Sequence, residues 1–315
     1  MMIETELQPV LEMLNAEAPM HTQPVKTLRR NMRANTPVGT TAGIVTRDFA
    51  IQGPGGDLHL RLYWPETAED LHLAIFVHGG GFVMGDLHTH DGICREVTLK
   101  GGCAVLAIDY RLAPEHPFPA GLDDVVATIR WAAGAGAELG VSAEQGIIIL
   151  GDSAGGNLAA AAALTLRDAG ESPLIAQVLI YPVLDYYTPA RPSYIENASG
   201  YYLTRDDMIA FWDYYLTDPV QADDPRAAPL RAENLGGLPP AFILTAHFDP
   251  LRDEGEEYGR RLVEAGSEAL VRRYGGVIHG FVRLAAISPT SRRAIEDIGT
   301  WIRQIFARGK GPECR

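Results

Sequence analysis

Cysteine is scarce. Cys94, Cys103 and Cys314 are the only 3 in a chain of 315 residues, and none belongs to a C-x-x-C pair. That excludes a disulfide framework. Cys103 lies inside an apolar run and reads as a small core residue. Also lacking is any uninterrupted apolar stretch of about 18 residues, the length a membrane-crossing helix needs; the alanine-rich run 158–164 stops at Thr165 and Arg167. The start, Met1-Met2-Ile3-Glu4-Thr5-Glu6, has no basic segment followed by an apolar one, so it does not read as a secretory signal. The expected location is cytoplasmic. Basic charge is in deficit, with 27 Lys and Arg against 40 Asp and Glu, a net charge of −13. Such a surface repels phosphate backbones and anionic lipid, which argues against nucleic-acid binding and stable membrane association. It leaves a neutral, apolar substrate open. With 46% hydrophobic and 21% charged residues the chain is not a disordered one.

Residues 1–40 read as helical, with Leu7, Leu11 and Leu14 spaced to share a face, but Pro19, Pro24 and Pro37 divide the segment. From Gly43 onward, apolar or alternating runs suggest strands at 43–51, 58–64, 72–77, 103–109, 146–150, 175–181, 241–246 and 269–274. The first two alternate, as half-exposed strands do. Leu73-Ala74-Ile75-Phe76-Val77 and Ile147-Ile148-Ile149-Leu150 are continuous, as in a sheet covered on both faces. Helical patterns at 88–101, 119–138, 155–169, 252–266 and 290–307 fall between or after them. The expected fold is therefore α/β, with helices flanking a mostly parallel eight-stranded sheet. Residues between Tyr181 and Pro240 are too numerous for a plain connection and carry many aromatics. They read as a cap insertion at 185–235 that joins residues 1–40 over the C-terminal edge of the sheet. The alternative is an extra helix packed on the flank. The core is then 41–184 and 236–315.

Gly151-Asp152-Ser153-Ala154-Gly155 fits G-x-S-x-G, a pattern that by itself arises by chance in roughly one chain in six. Its context is more telling, because an apolar strand runs into it and an alanine-rich helix leaves it. A serine on so sharp a turn has strained backbone angles, and a Cβ two residues to either side would clash with the crossing chain. Ser153 is the candidate nucleophile. His78-Gly79-Gly80-Gly81 follows the strand 72–77. Consecutive glycines leave N–H groups free to face a developing oxyanion, so Gly80, Gly81 and the amide of Ala154 are the candidate donors. No Lys-Ser/Thr pair follows, which argues against a phosphate cradle.

A nucleophilic serine needs a base, and the base an orienting acid. Asp249 follows the strand 241–246 and His279 the strand 269–274, giving the chain order Ser153, Asp249, His279. Asp253 is the rival acid but sits a turn into a helix, where capping or an arginine pair accounts for it. His247 precedes the acid by two residues and should point away. His88-Thr89-His90-Asp91 reads as a solvated helix start rather than a metal ligand pair, so no metal or organic cofactor is expected.

Together with Tyr110-Arg111-Leu112-Ala113-Pro114-Glu115, Gly156-Asn157 and Asp249-Pro250-Leu251-Arg252-Asp253, these motifs resemble the hormone-sensitive-lipase-like family of bacterial esterases, a branch of the α/β-hydrolase superfamily. The resemblance runs from about residue 40 to 305, with the motifs in the family's order. It implies Ser153, Asp249 and His279 as a triad, Gly80, Gly81 and Ala154 as an oxyanion hole, and a cap from the N-terminal helices and the 185–235 insertion. It also implies a homodimer through the last strand and last helix, here 269–274 and 290–307. The expected activity is carboxylesterase, with short- to medium-chain acyl esters preferred and Phe82, Tyr186, Tyr187, Phe211, Trp212, Ile278 and Phe281 lining the pocket. Amides, carbamates or activated acetyl groups are the alternative substrates, and a non-catalytic ligand-binding relative is the alternative class.

Overall fold

The strands follow from the apolar runs. In the computed structural model, which describes residues 2–36, 41–68 and 71–309, the strands are β1 (Ile44–Gly53), β2 (Gly56–Pro65), β3 (Leu73–Val77), β4 (Ala104–Ile108), β5 (Ile147–Asp152), β6 (Leu174–Ile180), β7 (Ala241–Phe248) and β8 (Ala269–Ile278). They form one sheet in the order β1-β2-β4-β3-β5-β6-β7-β8. The β1–β2 and β2–β4 pairs are antiparallel and the remaining pairs parallel. Every residue of β3, β4 and β5 is buried. Alternate side chains go to opposite faces: Ile75, Val77, Ile147 and Ile149 join one core, and Ala74, Phe76, Ile148 and Leu150 the other. Burying each such large side chain is worth about 1.5–3 kcal/mol, and two covered faces explain why these strands are apolar without alternation.

The helices are α1 (Gln8–Ala16), α2 (Val25–Ala34), α3 (Asp91–Gly101), α4 (Ala120–Gly134), α5 (Gly136–Leu139), α6 (Ala154–Asp168), α7 (Pro192–Glu196), α8 (Arg205–Tyr215), α9 (Arg252–Glu264) and α10 (Pro289–Gly309). One core carries Leu122, Ile129, Leu158 and Leu262 from α4, α6 and α9; the other carries Val97, Ile298 and Ile302 from α3 and α10. The helix expected over 119–138 divides at Ala135, between Gly134 and Gly136, where low helix propensity and a non-helical backbone end α4. The helix expected from residue 88 starts at Asp91. Cys94 and Cys103 are buried in the α3/α10 core; Cys314 lies outside the described residues.

Register brings the strand ends together. Val77 pairs with Gly151, so the loop after β3 starts beside the turn after β5. Phe248 pairs with Ile278 across a register shift after Ala246, which puts Asp249 and His279 side by side as the next residue of each chain segment. Above these ends, the N-terminal segment and the 185–235 segment touch each other: His21 bonds Asp207 through both its backbone N–H and its ring, and Asn15 Nδ2 donates to the Gly200 carbonyl. Arg29 of α2 donates to the carbonyls of Val83 and Ala113 and pairs with Glu115, fastening the N-terminal segment to the sheet's loops.

Candidate active site

Ser153 holds φ +54° and ψ −120°, a conformation that costs a non-glycine residue about 1–3 kcal/mol and persists only when its surroundings impose it. The surroundings are backbone bonds: its N–H donates to Ile180 at 2.9 Å, and its carbonyl accepts from Val183 at 3.2 Å and Asn157 at 3.1 Å. A Cβ on Gly151 would lie 2.3 Å from the Gly155 carbonyl oxygen, and one on Gly155 2.0 Å from that of Val77. Glycine is the only residue either position accepts. Asn157 also bonds the Ala227 carbonyl from its Nδ2, tying α6 to the segment above the site.

Ser153 Oγ lies 2.9 Å from His279 Nε2, and His279 Nδ1 lies 2.7 Å from Asp249 Oδ2. All three side chains are buried, Asp249 completely. An ionised carboxylate only accepts, so Nδ1 carries the proton and Nε2 accepts from the serine hydroxyl. The other carboxylate oxygen, Oδ1, takes the Leu251 N–H at 2.9 Å, and Asn197 Nδ2 donates to the Asp249 carbonyl at 3.1 Å. The Tyr181 ring packs at 4.7 Å against the His279 imidazole from a backbone with φ +36°. That support was not legible in the sequence. Asp253 instead accepts from the Ser193 N–H at 2.8 Å and from Arg252 Nε at 2.8 Å, so it is engaged elsewhere. His247 packs edge-on against Phe248.

Gly80 and Gly81 have φ of +122° and +61°. A Cβ at Gly80 would lie 2.1 Å from the Met84 carbonyl oxygen, and one at Gly81 2.5 Å from the Phe211 ring. The Gly79 N–H donates to Asp152 Oδ1 at 2.8 Å, while the N–H groups of Gly80, Gly81 and Ala154 have no acceptor among the described residues. Ala154 opens α6, so its amide adds the positive end of a helix dipole.

His90 corrects an expectation. It is buried rather than solvated, with its ring 5.3 Å from that of His78 and 6.0 Å from that of Phe76; its Nε2 lies 3.4 Å from Asp152 Oδ1 and its Nδ1 2.9 Å from Thr89 Oγ1. Asp91 is buried too, held by Arg61, Arg95 and Tyr63. Burial works against ionisation of Asp152, but the charge of His90, its hydrogen bond, the charge of Arg283 and the Gly79 N–H together hold the carboxyl below its usual range. His78 stacks on Tyr110 at 4.3 Å and is pushed down to about 4, first by burial and then by the neighbouring His90 charge, against the pull of its bond to the Gly79 carbonyl. No group of three or more His, Cys, Asp or Glu among the described residues is placed to hold a metal.

A cavity of about 50 Å³ opens onto Ser153, His279, Gly80 and Gly81. Its apolar wall is Met20, Met32, Met84, Met208, Leu203 and Phe211. Of the seven aromatic and aliphatic residues expected to line it, only Phe211 does. Phe82 stacks at 3.8 Å on Tyr215, and Trp212 is fully buried behind it. Tyr186 and Tyr187 pack on each other at 4.2 Å, with the Tyr186 ring edge-on to Trp212. Ile278 and Phe281 are buried, and Phe281 belongs to the α3/α10 core. The aromatics satisfy one another, and unbranched methionines fill the space facing the serine. Four of the chain's 7 methionines are in that wall, three of them on the N-terminal and 185–235 segments.

A profile of the alpha/beta hydrolase fold matches residues 74–283. The chain is 42% identical over 252 residues to Esterase LipI of Mycobacterium tuberculosis, covering 78% of each chain. It is 39% identical over 289 residues to Carboxylic ester hydrolase LipN of the same organism, covering 89% of this chain and 76% of that one. Among solved structures, a hyperthermophilic esterase from the archaeon Pyrobaculum calidifontis superposes with a TM-score of 0.89 at 39% identity, covering 97% of this chain and 99% of that one.

Proposed function

This chain belongs to the α/β-hydrolase family, in its hormone-sensitive-lipase-like esterase branch, and on that premise we propose that it is a carboxylic ester hydrolase in which Ser153 is the nucleophile, His279 the base and Asp249 the orienting acid. The observation that carries this reading is the continuous chain of contacts from Ser153 Oγ to His279 Nε2 at 2.9 Å and from Nδ1 to Asp249 at 2.7 Å, beside three amides without acceptors among the described residues.

His279 Nε2 takes the Ser153 proton as Oγ bonds to the ester carbonyl carbon. The carbonyl electron pair moves onto oxygen, where the N–H groups of Gly80, Gly81 and Ala154 meet it. The oxyanion collapses, the alkoxide leaves with the proton from His279, and an acyl-serine remains. Water then repeats the sequence, giving its proton to His279 and releasing the acid. Asp249 keeps the proton on Nδ1 and offsets the imidazolium charge in both halves. The buried setting of all three groups strengthens each interaction relative to water.

Short- to medium-chain acyl groups are the proposed substrates. One water needs ~10–15 Å³ by the same measure, so a volume of about 50 Å³ takes a few groups of that size before methionines must move. The segments 1–40 and 185–235 act as the cap, supported by the Arg29, His21 and Asn15 contacts. Dimerisation is supported by the position of β8 at the end of the sheet. No helix among the described residues is long and apolar enough to cross a membrane. The test of the nucleophile is intact-protein mass after treatment with an alkyl fluorophosphonate. One adduct, mapped to the Ser153 peptide and accompanied by loss of ester hydrolysis, is expected; an adduct elsewhere with activity lost contradicts the assignment.

A further inference from the structure

One charged side chain at the cavity is used by none of the chemistry above. Arg283 lines the same space as Ser153, Gly80, Gly81 and His279, and apart from histidines it is the one cationic residue among the described lining. It is exposed, and its only side-chain bond among the described residues is to a neutral group, Thr36 Oγ1, at 3.2 Å. No carboxylate lies within ion-pair distance of it among those residues, although acids outnumber bases 40 to 27. The contrast with its neighbours is direct. Arg29 and Arg33, which reach down from α2 to the same loops, are paired with Glu115 and Asp86.

The position is held by the backbone, not by the guanidinium. Arg283 sits on the helical turn Phe281–Leu284, four residues beyond His279; its N–H donates to Gly280, and the flanking Phe281 and Val282 are buried. The Phe281 carbonyl is pinned by Ser291 Oγ at 2.6 Å. Its positive charge is felt inside the site, where it favours the ionised forms of Asp152, Tyr181 and Tyr202. Asp152, the nearest acid of the lining, is already committed to the Gly79 N–H and His90. A cation without a counter-ion among the described residues, lining the same apolar-walled space as the nucleophile, is complementary to a ligand that is apolar near the reacting carbonyl and anionic at its far end.

We propose that Arg283 is a specificity-determining residue that binds a carboxylate on the substrate, so that the enzyme favours esters carrying a free carboxylate a few carbons from the scissile bond. This deepens the esterase reading and rests on it. The carboxylate can belong to the acyl part, as in a half-ester of a dicarboxylic acid, or to the alcohol part.

Two matched pairs separate the sources. Monoethyl glutarate against ethyl valerate tests the acyl side by pH-stat, and 4-butyryloxybenzoate against phenyl butyrate tests the alcohol side. The readout is the ratio of kcat/KM for the charged ester to that for its neutral partner. In wild type one ratio is expected to exceed one and to fall as salt is added. That ratio should drop by about three- to tenfold in Arg283→Gln and recover in part in Arg283→Lys, since a point charge replaces the bidentate fork. Ratios left unchanged by Arg283→Gln overturn the proposal. So does an equal fall for charged and neutral esters, which would make Arg283 a counter-charge to Asp152 alone. Wild type inert to all four esters, including the neutral pair, would instead remove the esterase reading and this proposal with it.

Discussion

Asp152 Oδ1 accepts the Gly79 N–H at 2.8 Å, so the residue before Ser153 holds the loop that carries Gly80 and Gly81, the proposed oxyanion donors. The two motifs are 73 residues apart in sequence and one hydrogen bond apart in space. Asp152 is a positioning residue in this account. Asp152→Ala is expected to lower kcat by about 10- to 100-fold, less than the ~10²–10³ for deleting a donor outright, with KM nearly unchanged. Asp152→Asn, which retains an acceptor oxygen, should recover much of the loss. A fall in KM-dependent binding with kcat intact would show that the link does not set the donors.

The choice between two acids is testable directly. Asp249→Asn should cost about 10³–10⁴ in kcat because Nδ1 would no longer be held as the protonated tautomer. Asp253→Asn should leave kcat within about threefold and lower Tm, since among the described residues the Asp253 side chain bonds Ser193 and Arg252. Reversed effects would reassign the acid.

Gly80→Ala places a Cβ 2.1 Å from the Met84 carbonyl oxygen at φ +122°. The loop must move, and a displaced donor is expected to reduce kcat by about 10²-fold or more. Unfolding midpoints of the variant and wild type tell local displacement from general collapse. Wild-type kcat in a folded variant would exclude this loop from the chemistry.

His78 makes a prediction about stability and pH. Its folded value is about 4, whereas the ordinary value is 6.5. As pH falls the unfolded chain takes the proton first, so stability is full above about 6.5 and is lost progressively toward about 4. The full loss is on the order of 3 kcal/mol. Unfolding free energies of wild type and His78→Gln across that window should converge as pH drops, the variant lacking this part of the acid limb. Parallel curves would contradict a neutral, buried His78.

Much of this architecture was readable from residues alone. Continuous apolar runs marked β3, β4 and β5 because both their faces are covered, and the glycine demands at 151 and 155 follow from a turn any nucleophile elbow must make. Contacts between distant segments were not readable. Nothing local to His90 says that it folds beneath Asp152, and nothing local to Tyr186, Trp212 or Phe82 says that these rings pack on each other and on Tyr215 rather than face the serine. The methionines were a signal left unused: an unbranched, polarizable side chain suits a wall that must adapt to its ligand.

In the proposed reaction Ser153 is the nucleophile of an ester hydrolase. The most direct measurement is hydrolysis of p-nitrophenyl esters from acetate to palmitate by wild type and by Ser153→Ala of equal fold. Wild type should turn over the short and medium esters and little of the palmitate, with a loss of about 10⁴-fold or more in the variant. Turnover by Ser153→Ala within about tenfold of wild type would contradict it.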